Sequence, residues 1–115
     1  MEIEVGAVPG TGTVITLHGE VDLDAAGAVG QAVRQSLDSD VPPVLLVDLT
    51  DVTFMDSSGL NALIRANQST GEAGGAVHLV APQETVARVL QLTGVDQVMA
   101  VHPDLPRALA AATVR

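Results

Sequence analysis

VLLVDLTDVTFMDSSGLNALI, residues 44–64, decides how the chain folds. It opens on Val44-Leu45-Leu46-Val47, an almost unbroken apolar run, which predicts a strand buried on both faces at the centre of a mostly parallel sheet. The chain turns polar at Asp48, and Phe54-Met55 is expected to anchor its return to the core. Asp56-Ser57-Ser58-Gly59 follows, and behind it Leu60, Leu63 and Ile64 share one face at helical spacing. A strand therefore passes through a loop into a helix, with the serine pair where the helix starts. Side-chain oxygens there accept the helix's unpartnered N–H groups, so Ser57 reads first as an N-cap contributing about 1 kcal/mol.

Working outward, Glu2 to Ala7 alternates as an edge strand, Pro9 to Gly12 is a turn, and Thr13 to Leu17 is a β-branched strand closed by His18. The two strands predict an antiparallel hairpin. Asp22 or Asp24 can cap the next helix, whose buried stripe is Ala26, Val29, Val33 and Leu37. Asp38 to Pro43 reads as a polar linker into the central strand. Beyond the second helix come a glycine-rich connection at residues 71–75 and a strand, Ala76 to Val80, with His78 facing outward. The connection precedes a strand and lacks the lysine of a phosphate loop. Pro82 opens a third helix with Val86, Val89 and Leu90 inward and Gly94 past its end. Gln97 to Val101 is a short last strand, and Asp104 can cap a final helix with Leu105, Ala108, Leu109 and Ala112 inward. The order β-β-α-β-α-β-α-β-α predicts one α/β domain over residues 1–115, with a mixed four- to five-stranded sheet and helices mainly on one face.

The net charge is −9, with five arginines and no lysine, and Phe54 is the only aromatic residue. This disfavours nucleic acid, which needs a basic stripe and stacking platforms, and favours a basic protein partner. Cysteine is absent, which excludes disulfides and thiolate-ligated metals. No apolar run is long enough to span a membrane, and Met1-Glu2-Ile3-Glu4 is unlike a secretory signal. The expected setting is the cytoplasm, without membrane insertion.

Right-handed crossovers would bring the loops after Leu17 and after Val47 to one edge of the sheet, where α/β proteins place their sites. That edge would gather Glu20, Asp22, Asp24, Asp48, Asp51 and Asp56, six of fourteen acids, into an acidic pole around Ser57. Two enzyme readings fit poorly. Asp-Ser-Ser-Gly is not the Gly-x-Ser-x-Gly elbow of a serine hydrolase, although His18 could approach the edge as a base. Asp48 as a phosphoacceptor with Mg²⁺ would need paired acids on the first strand and a lysine, which the chain lacks. No metal ligand set or cofactor loop accompanies Ser57.

Asp51-Val52-Thr53-Phe54-Met55-Asp56-Ser57-Ser58-Gly59-Leu60 resembles, without a gap, the signature of the STAS domain, in particular of bacterial anti-sigma factor antagonists. The string Val14 to Asp22 and the run Gly74-Gly75, Pro82, Val86-x-Arg88-x-Leu90 and Thr93-Gly94 are similar to further parts of that family. The resemblance implies that Ser57 receives a phosphate from a partner serine kinase that is also an anti-sigma factor, and that a matching phosphatase reverses it. The unphosphorylated chain would bind that kinase and release a sigma factor. ATP and the catalytic residues would belong to the partner, and no cofactor to this chain. The expected partner surface is Glu20, Asp22, Asp24, Asp56, Ser57, Ser58, Gly59, Leu60 and Asn61. Asn61 stands where the family often has a second glycine, which bears on partner choice. The alternative is a constitutive STAS adaptor in a signalling or transporter-associated complex, with the serine a plain cap.

Overall fold

The computed structural model describes residues 2–37 and 43–113. Its elements are β1 (Glu2–Val8), β2 (Gly12–Val21), α1 (Leu23–Ser36), β3 (Val44–Met55), α2 (Ser57–Glu72), β4 (Ala76–Val80), α3 (Glu84–Thr93), a 3₁₀ turn (Val95–Gln97), β5 (Ala100–His102) and α4 (Leu105–Thr113). The strands form one sheet in the order β1-β2-β3-β4-β5. β1 is antiparallel to β2, and the remaining pairs are parallel. This is the expected mixed α/β sheet, with five strands. The linker read at Asp38 to Pro43 lies, apart from Pro43, outside the described residues.

The two faces of the sheet are covered unequally. On one, Ile15, Leu17, Val21, Leu45, Val47, Leu49, Val52, Met55, Val77 and Leu79 pack against Ala25, Val29 and Val33 of α1, Leu60, Leu63 and Ala66 of α2, and Val86 and Leu90 of α3. On the other, Leu46 and Val80 are buried under Ala108 of α4, with Val14, Val44, Leu105 and Leu109 around them. Three helices on one face and one on the other satisfy the expected asymmetry. Leu45 and Val47 face one core and Leu46 the other, which is why the run has no polar alternation. The stripe of α1 departs from expectation: Ala25 and Ala32 are buried with Val29 and Val33, while Ala26 and Leu37 are only half-buried. Small residues let the helix sit close on the sheet, and Ala25 and Ala26 are adjacent and alike, so composition does not distinguish which of the two faces inward.

Two strands are longer than the sequence predicts. β2 continues past Leu17 to Val21, and β3 continues past Val47 to Met55. His18 therefore lies within a strand and does not close it. Their register shifts between Thr16 and His18 and again between Gly19 and Glu20. Irregularities of this kind break the alternation of facing residues while the ladder persists. The acids Asp48 and Asp51 thus stand in a strand and not in a loop. The last strand is also displaced. Gln97 ends a 3₁₀ turn, and β5 is only Ala100–His102. Gly94, at φ 79°, closes α3 in the left-handed conformation, as expected of a glycine past a helix end.

Candidate functional site

The parallel pairing of β2 and β3 brings their C-terminal ends together, with Val21 opposite Met55 as the last pair. The chain leaves both strands there and enters α1 and α2, so both helix N-termini stand side by side. Asp22 caps α1 by accepting the N–H of Ala25 at 3.1 Å. Asp56 caps α2: its Oδ1 accepts from Ser58 N at 2.9 Å and Gly59 N at 3.0 Å. The backbone N–H of Asp56 donates to Val21 O at 3.3 Å, tying the two strand ends.

This corrects the reading of Ser57 as the cap. Ser57 is the first helical residue, exposed, and its hydroxyl makes no hydrogen bond among the described residues. The cap lies one residue earlier because the carboxylate of Asp56 sits in extended backbone at φ −96° and ψ −173°, from which it reaches two N–H groups. Ser58 is half-buried, and Gly59 and Leu60 are buried. A side chain at Gly59 would collide with the carbonyl oxygen of Val21 and come within 2.8 Å of its Cγ1. Glycine is thus needed for α2 to start directly against the end of β2. Asn61 is exposed one turn further on.

The structure keeps only part of the expected acidic pole. Glu20, Asp22, Asp24 and Asp56 surround the two helix starts, and Glu20, Asp22 and Asp24 line a hollow with Ala25 and Ala28. Asp51 and Asp48 lie four and seven residues before Met55 in β3, roughly 13 and 23 Å back along the strand. Each has its own local role. Asp48 Oδ1 accepts from Thr50 N at 3.0 Å and Thr50 Oγ1 at 2.6 Å. Asp51 Oδ2 lies 2.9 Å from His18 Nδ1, and Glu4 Oε2 lies 3.7 Å from His18 Nε2. His18 is thereby held on the sheet between two carboxylates, and among the described residues no base is hydrogen-bonded to Ser57.

Two residues were not anticipated at this end. Phe54 does not return to the core: Met55 is buried, while Phe54 is 49% exposed. Leu23, the first residue of α1, is 73% exposed between the acids Asp22 and Asp24. No sequence signal separates Phe54 from Met55, since which of two adjacent apolar residues faces inward depends on the register shifts upstream.

The remaining histidines meet far from Ser57. His78 of β4 and His102 of β5 place Nδ1 and Nε2 2.9 Å apart, with ring centroids separated by 5.1 Å. Burial and the neighbouring His102 hold His78 below its ordinary pKa. His78 was expected merely to face outward, and a contact across two strands cannot be read from either strand alone. No group of three or more metal-ligating side chains is assembled among the described residues. No described helix is long and apolar enough to cross a membrane. A groove of about 540 Å³ between α1 and α2 is floored by Ala26, Gly27, Gly30, Ala62 and Ala66 and does not include Ser57.

A profile of the STAS domain matches residues 2–108. The anti-sigma-F factor antagonist RsfB of Mycobacterium tuberculosis is 30% identical over 96 residues, covering 84% of this chain and 77% of the relative. Matches to candidate anti-sigma factor antagonists of Thermotoga neapolitana and Thermotoga maritima, each 34% identical, span only 58% and 54% of those proteins' length. Among solved structures, an anti-sigma factor antagonist from Mycobacterium paratuberculosis superposes with a TM-score of 0.87 at 30% identity, covering 98% of this chain and 94% of the other. The fold is also shared with the anti-sigma factor antagonist SpoIIAA in its unphosphorylated form, at a TM-score of 0.71, 21% identity and coverage of 96% and 94%.

Proposed function

The chain belongs to the STAS domain family, and from that membership and the site at the start of α2 we propose that it is an anti-sigma factor antagonist switched by phosphorylation of Ser57. Unmodified, it binds an anti-sigma factor that is also a serine kinase, through Glu20, Asp22, Asp24, Asp56, Ser57, Ser58, Leu60 and Asn61, with Gly59 beneath. Binding frees a sigma factor, and a phosphatase restores the antagonist after phosphorylation. The chain works in the cytoplasm as a binding module without turnover of its own.

The observation that carries this reading is the division between Asp56 and Ser57. Asp56 holds the helix, and Ser57 stands beside it exposed, its hydroxyl without a hydrogen bond among the described residues. A kinase can reach such a hydroxyl without unfolding the helix. The phosphate would add about −1.5 to −2 charge among Glu20, Asp22, Asp24 and Asp56. Docking is then lost by repulsion and desolvation, while the fold is retained because an anion suits a helix N-terminus.

Co-purification from the native cell with phosphosite mapping tests it. Phosphate is expected on Ser57 and not on Ser58, and Ser57→Ala is expected to hold the partner permanently. Ser57→Asp should weaken docking less than the phosphate does, since one carboxylate carries less charge. If phosphorylated and unmodified protein retain the partner equally, the chain is a constitutive adaptor. Hydrolase activity that disappears in Ser57→Ala would overturn the binding-module reading altogether.

A further inference from the structure

Phe54 is the one aromatic side chain of the protein, and nearly half of it is in water. It lies opposite Glu20 in the β2–β3 register, and the next pair, Val21 and Met55, is buried beneath α1–α3. Met55 is buried against the helices and its neighbour Phe54 is exposed, so Phe54 projects from the face that carries α4. There α4 covers Val14, Val44, Leu46 and Val80, at the other end of β2 and β3. Phe54 therefore stands on an open stretch of sheet, two residues before the Asp56 cap and three before Ser57.

We infer that Phe54 is the apolar anchor of the docking surface, and that the partner receives it in an apolar pocket rimmed by arginine or lysine. This rests on the proposed docking at the start of α2 and adds what the partner must look like. A half-exposed phenyl ring adjoining a binding site has the character of an interface hot spot, because a partner that completes its burial removes a large apolar area from water. The basic rim follows from charge complementarity. Glu20 is the register partner of Phe54, Asp51 stands three residues before it in β3, and Asp51 and Glu4 both adjoin His18. An arginine reaching Glu20, the register partner of Phe54, would come near the phenyl ring, whose face attracts a cation. Leu23, exposed between Asp22 and Asp24, repeats the same pairing of apolar and acidic groups on the α1 side.

Photo-crosslinking in the native cell, with p-benzoylphenylalanine replacing Phe54, Asn61 or Val98 in turn, tests the anchor. Asn61 reports the proposed docking face, and Val98, 64% exposed near β5, is the control. The expected result is one protein crosslinked from positions 54 and 61 and not from 98. That protein, purified and titrated, should bind Phe54→Ala at least about tenfold more weakly than wild type and Phe54→Leu within about threefold, with helix content unchanged by circular dichroism. Its affinity should fall with added salt if the rim is basic. An adduct at 61 without one at 54, or Phe54→Ala binding within twofold of wild type, removes the anchor and leaves the docking face standing. An affinity indifferent to salt removes the basic rim. No adduct at either position sinks the anchor and the docking face together.

Discussion

Asp56→Ala strips the α2 N-terminus of the acceptor for two N–H groups and is expected to cost about 1 kcal/mol, within a range of about 0.5–2. Ser57→Ala removes a hydroxyl that makes no hydrogen bond among the described residues and should stay within about 0.5 kcal/mol of wild type. Chemical denaturation of the two variants checks the pair; equal losses would mean that Ser57 carries the cap after all. Gly59→Ala should be worse than either, at least about 2 kcal/mol, because its methyl group enters the space of the Val21 carbonyl at the point where two elements meet. An unchanged melting temperature for Gly59→Ala would show that α2 can shift away at little cost. At this scale the sequence was legible in kind and not in frame. Asp56, Ser57 and Ser58 are all good caps, and only the backbone conformation at Asp56 selects among them. The same one-residue ambiguity hid the exposure of Phe54 beside the buried Met55.

Among elements, the edge formed by β4, β5 and α4 has the clearest dependence on pH. β5 is three residues long and pairs with β4 alone, and α4 begins at Leu105, three residues after His102. His78 and His102 join the two strands ring to ring. His78 is opposite Leu46 of β3 and Ala100 of β5, and α4 brings the Asp104–Arg107 pair at its start. Burial first, and His102 second, lower the pKa of His78 from 6.5. In the folded chain His78 therefore refuses a proton that the unfolded chain accepts. The stability it contributes is complete above pH 6.5 and is lost as pH falls below that value toward the folded pKa. Denaturation midpoints should be flat above pH 6.5 and decline as pH falls below it, with a shallower decline in His78→Gln. Hydrogen exchange at residues 100–102 should rise over the same interval; unchanged protection there would place the pH effect elsewhere. The strands themselves were read correctly where the apolar run was uninterrupted, as at Val44 to Val47. β2 and β3 were cut short because Asp48, Asp51 and Glu20 resemble loop residues, and the register shifts erased the alternation that would have identified a strand.

For the molecule as a whole, the fold was legible because element order and crossover rules leave few alternatives, and the five-stranded sheet with three helices on one face and one on the other agrees. The expected acidic pole was half legible as a placement: Glu20, Asp22, Asp24 and Asp56 gather at the helix starts beside Ser57, while Asp48 and Asp51 stay on the sheet. A phosphate at Ser57 is expected to change global stability by less than about 1 kcal/mol. The helix dipole favours it, Asp56 and its acidic neighbours oppose it, and Asp56 already holds the N–H groups of Ser58 and Gly59. Thermal unfolding of the phosphorylated and unmodified protein tests this. A large drop would make the switch an unfolding event and not a change of surface. With a net charge of −9, the unmodified chain should associate with its partner more slowly as salt is raised, by loss of long-range steering.

The separation of Asp56 from Ser57 also bears on how such a protein can change over generations. A residue that both caps a helix and receives a signal is constrained twice, and any replacement is punished in the fold. Under the proposed switch the two demands fall on neighbouring codons. A single substitution at position 57 would then silence the signal in a protein that still folds, and a permanently active descendant would lie one mutational step from a regulated one.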